Sequence, residues 1–313
     1  MTDLVSIIVL SYNSENTITD TLESIYNQTY QNIELIISDD CSKDKTIELC
    51  TQWIQKNKKR FIRTEIINNS YNTGIAGNCN RGYKLARGKW IKSIAGDDIL
   101  LHTCIENNLK YTNKNKNASI IFSKIETFAN NNSDNKIYPT KEQEKFYSLT
   151  TNEQLEVILH YNQPYAPTIF IKRELIEKIN YFDDNIQFLE DWPIYIKILK
   201  LGYHIDYFSE ITVKYRIEES ITRRKEEIIS PRYYNSLKIF YQKYLFPIYR
   251  ENKDYTSLIS KKIWLIQYNL VLTILKNRKS KISYYILRLF DFIKPETYLK
   301  KIQKNRLKYK FSY

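Results

Sequence analysis

The chain has 313 residues, of which 42% are hydrophobic, and its 48 Lys and Arg exceed its 35 Asp and Glu to give a net charge of +13. This length and hydrophobic content allow one large domain, or one domain with a helical appendage. The N-terminus lacks the basic start and apolar stretch of a signal peptide, so we expect a cytosolic protein. The four cysteines show neither C-x-x-C spacing nor clustering with histidine, which favours buried free thiols over a zinc site or a disulfide framework.

The first third of the chain alternates between apolar runs and helical patterns. The runs are rich in β-branched residues and predict strands at residues 4–10, 33–38, 64–68 and 89–95. Apolar spacing predicts helices after Ser14, which fits an N-cap, then around residues 47–54 and over residues 77–86. Repeated β-loop-α units predict an α/β protein with a doubly wound, mostly parallel sheet.

Two shorter apolar runs continue the pattern. They predict strands at residues 120–123 and 168–171, and the second of these can be antiparallel. Residues 130–148 between them are polar and rich in Asn and Lys, which predicts a mobile loop rather than core.

Two short acidic stretches mark a candidate ligand site. Gly96-Asp97-Asp98 follows a predicted strand, and Glu190-Asp191-Trp192 precedes a helical pattern. Loops at strand ends of an open α/β sheet form the crevice in which such enzymes hold ligands. Five of the six glycines fall within residues 74–96, where backbone turns or approaches a ligand closely. One acidic pair is suited to a metal and the other to a base.

The first turn lacks the common nucleotide-binding motifs. Ser11-Tyr12-Asn13 contains no glycine, so the G-x-G-x-x-G motif of a dinucleotide-dependent oxidoreductase is missing, and no G-x-x-x-x-G-K-[ST] occurs. A nucleotide base can instead be held by a stacking aromatic ring and a carboxylate. Tyr12 and Asp40 end neighbouring predicted strands and would face one crevice, although a turn Asp more often caps a helix.

In sequence order, these motifs resemble those of the inverting family 2 glycosyltransferases, which have the GT-A fold. The resemblance covers about residues 1–222 and is carried by the segments 5–13, 39–44, 72–74, 78–82, 94–98 and 188–192. The set is specific, whereas each segment alone is not.

The resemblance implies a role for individual residues. Tyr12 and Asp40 would contact the base of a nucleotide-sugar, and Asp97 would contact its ribose. Asp98 would bind the divalent cation, Mn²⁺ or Mg²⁺, that bridges the diphosphate, and Asp191 would be the catalytic base. The other implied donor contacts are Asn13, Gly74, Asn78 and Arg81, and the acceptor-side or secondary residues are Glu190, Trp192, Arg216 and Glu218.

Glycosyl transfer needs groups of these kinds. The departing nucleoside diphosphate gains negative charge, which a hard cation held by carboxylate oxygens neutralises. The attacking hydroxyl loses a proton, and a positioned carboxylate typically contributes a factor of about 10²–10⁴ to the rate. Asp191 lies at helical spacing from Ile194 and Ile198, with Pro193 in the first turn. The helix dipole alone also favours an acidic residue there.

Two positions depart from the family pattern. Ala95 stands where the metal motif usually has its first Asp. Residues 215–222 resemble a Tyr-Arg-x-His segment without the His, so either Glu218 substitutes as a metal ligand or the segment only closes over the donor. The missing His keeps open an alternative function, that of a nucleotide-sugar-binding scaffold or regulator without transfer activity.

The basic charge is concentrated in the C-terminal tail. From Ser230 onward there are 19 Lys and Arg against 4 Asp and Glu, a net charge of +15. Two helical stripes occur there: Ile263, Ile266, Leu270, Val271, Ile274 and Leu275, and then Ile282, Tyr285, Ile286, Leu289 and Ile293. The first is too short to span a bilayer. Basic amphipathic helices favour an anionic membrane surface, with packing on the body or on a second copy as the alternative. Nucleic acid is not favoured as a partner.

These features together predict a GT-A domain over residues 1–225 and a basic helical extension over residues 226–313. The resemblance implies a hexosyl- or N-acetylhexosaminyltransferase that uses a UDP-linked donor and inverts the anomeric configuration. The expected acceptor is a growing surface glycan, such as capsule or lipopolysaccharide, or a lipid-linked oligosaccharide. The expected location is the inner face of a bacterial membrane.

Overall fold

The computed structural model describes residues 3–129, 135–217 and 227–295. These residues fall into two compact units. The sheet unit contains the described residues up to Asp184 and those from Glu190 to Ile217, and the helical unit contains Asn185–Leu189 and the described residues from Glu227 onward. The predicted domain boundary after residue 225 lies outside the described residues and stays a prediction.

The described strands of the sheet unit form one mixed sheet. They are Val5–Ser11 (β1), Ile33–Asp39 (β2), Arg63–Asn68 (β3), Trp90–Ala95 (β4), Ile99–Leu100 (β5), Ile120–Phe128 (β6), Ile137–Tyr138 (β7), Phe170–Lys172 (β8) and Asp206–Arg216 (β9). Their order is β3-β2-β1-β4-β8-β6-β9-β5, and β7 pairs with β6. The first four in that order are parallel to one another, whereas β8 is antiparallel to β4 and β6. The predicted α/β sheet is therefore confirmed.

The α-helices of the sheet unit connect these strands. They are Ile18–Tyr26 (α1), Thr46–Asn57 (α2), Gly74–Leu85 (α3), Cys104–Lys114 (α4), Lys141–Glu144 (α5), Thr151–Ile158 (α6), Arg173–Lys178 (α7) and Asp191–Lys200 (α8). The apolar face of α1 is fully buried at Ile18, Leu22 and Ile25. Burial of each such side chain contributes about 1.5–3 kcal/mol to folding.

Three strands of the core end in register at one edge of the sheet. Ser11 at the end of β1 lies opposite Asp39 at the end of β2, and Leu10 lies opposite Ala95 at the end of β4. All seven residues of β2 are buried, as are six of the seven residues of β1, so these strands are held firmly. The loops that follow them, which carry Tyr12, Asp40 and Asp97, therefore start side by side.

Two local predictions are wrong. Ser14 is not the N-cap of α1, because that helix begins at Ile18 with Thr17 at the N-cap, and Thr17 makes no capping bond from its side chain. Residues 135–148 are not a loop outside the core, since they contain β7 and α5, and Phe146 and Tyr147 are buried. Two aromatic rings in a polar segment are enough to anchor it. Residues 130–134 of the predicted loop lie outside the described residues.

The helical unit contains the helices Pro231–Phe240 (α9), Phe246–Glu251 (α10), Tyr255–Thr273 (α11) and Lys281–Ile293 (α12), with a π-helical turn at Tyr241–Leu245. The first predicted stripe does not form one face, because Val271 is buried whereas Ile266 and Ile274 are more than half exposed. Among the described residues, none of the helices combines the length and the apolar character needed to cross a bilayer. All four cysteines are buried free thiols, as predicted.

Candidate active site

The loops after β1 and β2 are tied together through Asn13. Its backbone N–H donates to Ser42 Oγ at 2.8 Å, and its side-chain Oδ1 accepts from the Lys43 N–H at 2.8 Å. Asn13 adopts a left-handed conformation with φ of 51°, which Asn tolerates better than most residues. The neighbouring Tyr12 remains 49% exposed. The two loops are thus joined at Asn13, and the aromatic ring of Tyr12 beside it is open to solvent.

The carboxylate of Asp40 organises the start of α3. Its Oδ1 accepts from the Thr73 N–H at 2.9 Å and from the Thr73 hydroxyl at 2.8 Å, and its Oδ2 accepts from the Gly74 N–H at 2.8 Å. Gly74 has a φ of 80°, a conformation that strongly favours glycine. Asp40 thus binds the helix start, as the simpler interpretation of a turn Asp anticipates, and Oδ2 retains capacity for a further bond.

Arg81 and Asn78 on α3 extend this network. Arg81 donates to Asp40 Oδ1 at 2.7 Å, to the Thr73 hydroxyl at 2.7 Å and to Asn78 Oδ1 at 3.2 Å. Asn78 also accepts from the Ser38 hydroxyl at 2.6 Å. The structure therefore brings together the predicted donor residues Asp40, Gly74, Asn78 and Arg81. Thr73 also belongs to this network, since it bonds to Asp40 and Arg81. The sequence analysis included it only as part of the segment 72–74.

The turn after β4 is fixed by α1. Hydroxyls of Thr17 and Thr21 donate to the carbonyls of Gly96 at 2.9 Å and of Asp98 at 2.7 Å. A Cβ at Gly96 would lie 3.1 Å from Ile18 Cδ1 and 3.2 Å from Ser14 Oγ, so glycine allows the close approach of the first loop. The acidic turn and the turn of Tyr12 are therefore neighbours.

Asp98 has one satisfied and one unsatisfied carboxylate oxygen. Oδ1 accepts from the Arg216 N–H at 2.9 Å, whereas Oδ2 is buried and has no hydrogen-bond partner among the described residues. Burial, and then the nearby charge of Asp97, raise the pKa of Asp98 to about 7. A buried polar atom without a partner costs about 1–3 kcal/mol, so this oxygen is unfavourable for stability as it stands.

Arg216 on β9 holds the acidic turn in place. Its Nε donates to the Asp97 carbonyl at 2.9 Å, and its guanidinium lies 4.6 Å from the centre of the Phe128 ring. The predicted residue Arg216 thus contacts both acidic residues: its backbone N–H donates to the Asp98 carboxylate, and its side chain donates to the Asp97 carbonyl. Glu218, two residues further on, lies outside the described residues.

The donor set of this turn fits a divalent cation that is completed by substrate. No group of three or more His, Cys, Asp or Glu side chains forms a metal cage in the described part of the chain. Mg²⁺ is commonly held by one or two carboxylates together with substrate phosphates, rather than by an all-protein cage. The Oδ2 of Asp98, which no described residue pairs with, offers one such ligand.

Asp191 is the first residue of α8 and is held by an amide that the sequence motifs did not reveal. The Nδ2 of Asn162 donates to both carboxylate oxygens of Asp191, at 3.1 and 3.0 Å. The Tyr195 hydroxyl lies 3.5 Å from Oδ2. Desolvation raises the pKa of Asp191, and the Asn162 hydrogen bond partly opposes that effect. Asn162 follows no recognisable motif, so no signal in a single sequence could have found it.

The acidic pair at the start of α8, Glu190 and Asp191, lies close to α3. Burial raises the pKa of Cys79 on α3, and the nearby charges of Glu190 and Asp191 raise it further. Trp192 faces the protein, since its indole N–H donates to the Ile158 carbonyl at 2.6 Å. Asp191 and the Asp40 network thus both lie near α3, whereas Trp192 has a structural contact of its own.

Comparisons with known proteins match these features. The family model for Glycosyl transferase family 2 matches residues 6–179. An uncharacterized glycosyltransferase of Haemophilus influenzae is 30% identical over 222 residues, which cover 70% of this chain and 67% of that protein.

Among the relatives whose activity or pathway is described, two are matched by this chain over less than half of their length. The UDP-Glc:alpha-D-GlcNAc-diphosphoundecaprenol beta-1,3-glucosyltransferase WfaP of Escherichia coli is 40% identical over 114 residues, which cover 36% of this chain and 43% of WfaP. The minor teichoic acid biosynthesis protein GgaB of Bacillus subtilis is 28% identical over 216 residues, which cover 68% of this chain and 23% of GgaB.

Among solved structures, residues 1–349 of S. aureus TarS in complex with UDP-GlcNAc give a TM-score of 0.57 at 18% identity, covering 98% of this chain and 76% of that one. At this identity the likeness concerns the fold alone, and it confirms the predicted GT-A fold.

Proposed function

The chain belongs to the family 2 glycosyltransferases, and from this premise we propose that it moves one sugar, with inversion, from a UDP-linked donor to a glycan hydroxyl. The sugar is a hexose or an N-acetylhexosamine. WfaP is named for a UDP-glucose donor and a diphosphoundecaprenol-linked acceptor, GgaB is named for teichoic acid biosynthesis, and TarS was solved with UDP-GlcNAc. We propose a lipid-linked oligosaccharide or a growing surface polymer, such as capsule or lipopolysaccharide, as the acceptor. The enzyme would act peripherally at the inner face of the cell membrane.

The observation that carries this proposal is the in-register ending of β1, β2 and β4. It places Tyr12, Asp40 and Asp97-Asp98 at one edge of the sheet, which is where open α/β sheets bind ligands. An exposed ring, a fixed carboxylate and a buried acidic turn supply different contacts to the base, the ribose and the diphosphate.

In the proposed donor complex, the Tyr12 ring stacks on the uracil. Asp40 Oδ2 accepts the ring N–H, while Arg81, Thr73 and Gly74 fix the orientation of that carboxylate. Asp97 accepts from a ribose hydroxyl. Since these protein contacts exist without donor, the enzyme loses little conformational entropy when the donor binds.

Asp98 Oδ2 would hold the divalent cation, Mn²⁺ or Mg²⁺. When bound, the cation neutralises the charge that develops on the departing diphosphate. Arg216 positions the Asp98 carboxylate through its backbone N–H. Glu218 is proposed as a further ligand, on the basis of the sequence alone.

Asp191 would act as the general base. The acceptor oxygen attacks the anomeric carbon opposite the diphosphate, a C–O bond forms as the bond to the phosphate oxygen breaks, and the hydroxyl proton passes to the Asp191 carboxylate. UDP leaves with the bonding electron pair. Asn162 holds both carboxylate oxygens in place, and the raised pKa of Asp191 makes it a better proton acceptor than an ordinary Asp, provided that it is ionised.

The alternative is a nucleotide-sugar-binding scaffold without transfer activity. Thermal unfolding of the purified protein with UDP, GDP or dTDP, each with and without Mn²⁺, tests the donor site, because a ligand at 100 times its dissociation constant adds about 2.7 kcal/mol to stability. We expect Mn²⁺-dependent stabilisation by UDP. Transfer of radiolabelled sugar from UDP-glucose and UDP-GlcNAc to membrane extracts then separates the two functions. Binding without any transfer would support the scaffold, and no stabilisation by UDP would contradict both.

A further inference from the structure

An apolar face of α12 is left uncovered by the described residues. Ile282, Tyr285, Leu289, Phe292 and Ile293 recur at helical spacing on one side of the helix, and each is 55–67% exposed. Soluble proteins scatter single apolar residues over their surface, but a contiguous row of five large ones indicates an interaction site.

The opposite face of α12 is packed within the helical unit. Ser283 is buried, and its hydroxyl and backbone complete a capping box with Ser280. Gln267 on α11 is also buried, and its Nε2 donates to the Leu287 carbonyl on α12 at 2.9 Å. These contacts fix which side of α12 faces outward, so the exposed row follows from packing rather than from fraying of the helix.

Basic side chains border the apolar row. Lys281 and Arg288, seven residues apart and so on the same side of the helix, are both exposed next to Tyr285 and Phe292. Lys276, Arg278 and Lys279 directly precede the helix. By contrast, Asp291 is paired with Lys294 at 2.6 Å. The charge around the row is therefore strongly positive.

We propose that this face of α12 inserts into the interfacial region of an anionic lipid membrane. Apolar and aromatic side chains on one face with Lys and Arg at its border are the pattern of a helix that lies in the membrane plane. A second copy of the chain is a poorer occupant, because the tail from Ser230 onward carries a net charge of +15 and two such tails repel each other. The inference rests on the proposed membrane location, but not on the donor or acceptor chemistry.

The test is co-sedimentation of the full-length protein with vesicles, without donor or acceptor. Vesicles of phosphatidylcholine mixed with phosphatidylglycerol should bind the protein, and vesicles of phosphatidylcholine alone should bind it much more weakly. The double variant L289Q/F292Q should bind anionic vesicles at least about tenfold more weakly, because two exposed apolar side chains no longer enter the interface. Replacing Lys281 or Arg288 by Gln should weaken binding by about fivefold each.

A matched control removes exposed apolar side chains elsewhere. Ile62 and Leu201 in the sheet unit are 66% and 47% exposed, and I62Q/L201Q should bind anionic vesicles as the wild type does. Hydrogen exchange of residues 281–293 in the wild-type protein gives a readout that needs no variant, and we expect slower exchange with anionic vesicles.

The outcomes separate the inference from the proposed location. If the wild type does not bind anionic vesicles, the membrane location and the role of α12 are both wrong. If the wild type binds but L289Q/F292Q binds equally well, the location stands and the role of α12 is wrong. A dimer in sedimentation equilibrium that L289Q/F292Q abolishes, without any vesicle binding, would identify a second copy as the occupant.

Discussion

The buried carboxylate of Asp40 differs from the buried carboxylate of Asp98 and the half-buried carboxylate of Asp191 in how far its charge is compensated. Asp40 accepts four hydrogen bonds from α3 and the residues before it, so its charge is compensated within the protein. Asp98 has a buried oxygen that no described residue pairs with, and desolvation raises the pKa of both Asp98 and Asp191.

This difference in charge compensation distinguishes residues that stabilise the fold from residues that destabilise it. A compensated carboxylate contributes to folding, whereas a carboxylate that is desolvated without full compensation is retained at a price in stability, which is typical of functional sites. We therefore expect substitution of Asp40 to lower stability, and substitution of Asp98 or Asp191 to lower function instead.

Substitution of the base should have the largest effect. Asp191→Asn should reduce sugar transfer by about 10²–10⁴-fold, because the amide accepts no proton from the acceptor hydroxyl. Since the folded-state pKa of Asp191 lies above its unfolded value, its ionised form costs stability, and that cost grows as pH rises through this pKa. The variant should therefore unfold at no lower temperature than the wild type at neutral pH, and its stabilisation by UDP should be retained.

A matched control is available in the helical unit. Asp254 also stands at the start of a helix, where its Oδ1 accepts from the Ser257 N–H at 3.0 Å. Asp254→Asn keeps that cap and should leave transfer unchanged. Transfer by Asp191→Asn at the wild-type rate would show that Asp191 is not the base.

The next largest effect is a difference in unfolding free energy between two matched variants, Asp40→Asn and Asp98→Asn. Asp40→Asn breaks the ion pair with Arg81, which lies at 2.7 Å, and leaves half-buried donors poorly paired, so we expect a loss of about 1–3 kcal/mol in unfolding free energy. Asp98→Asn removes a desolvated charge that has one unpaired oxygen, so its stability without ligand should not fall. Urea unfolding monitored by circular dichroism measures both.

Unfolding in the presence of UDP and Mn²⁺ tests the same variants for the proposed role of Asp98 in cation binding. In Asp98→Asn, UDP should stabilise the protein equally with and without Mn²⁺, because the proposed cation ligand is gone. If Asp98→Asn is destabilised as much as Asp40→Asn, the contrast between the two carboxylates is wrong. If UDP still needs Mn²⁺ in Asp98→Asn, the proposed role of Asp98 is wrong.

The sequence predicted the parallel half of the sheet well because its strands are buried runs with clear turns. Strands β1, β2 and β4 match the predicted runs to within one residue at each end. The eleven-residue β9 was not predicted, since Ser209, Glu210 and Lys214 interrupt its apolar pattern. Its pairing with β6 and β5 depends on distant residues that local patterns do not encode.

Site residues that stand in a sequence motif could be predicted. Site residues that are defined only by one side-chain contact could not. Asp40, Asp98 and Asp191 stand in recognisable segments at element boundaries, and the structure places them directly after β2, after β4 and at the start of α8. Asn162 contacts Asp191 from 29 residues away, and no periodicity links the two. Side-chain contacts of this kind arise only from the folded packing.

The smallest predicted effect concerns Asn162 and the pH dependence of transfer. Transfer requires ionised Asp191, so the rate should fall as pH drops through its raised pKa. The Asn162 amide stabilises the ionised form, so in Asn162→Ala the acidic limb of the profile of kcat against pH should move upward by about one pH unit. Asn108→Ala is the matched control, because the Oδ1 atoms of Asn108 and Asn162 are both buried without a partner in the described part of the chain. There, the Nδ2 of Asn108 bonds only to Cys104 of its own helix. This control should lower stability without moving the limb. An unshifted limb in Asn162→Ala would mean that its contact with Asp191 serves packing alone.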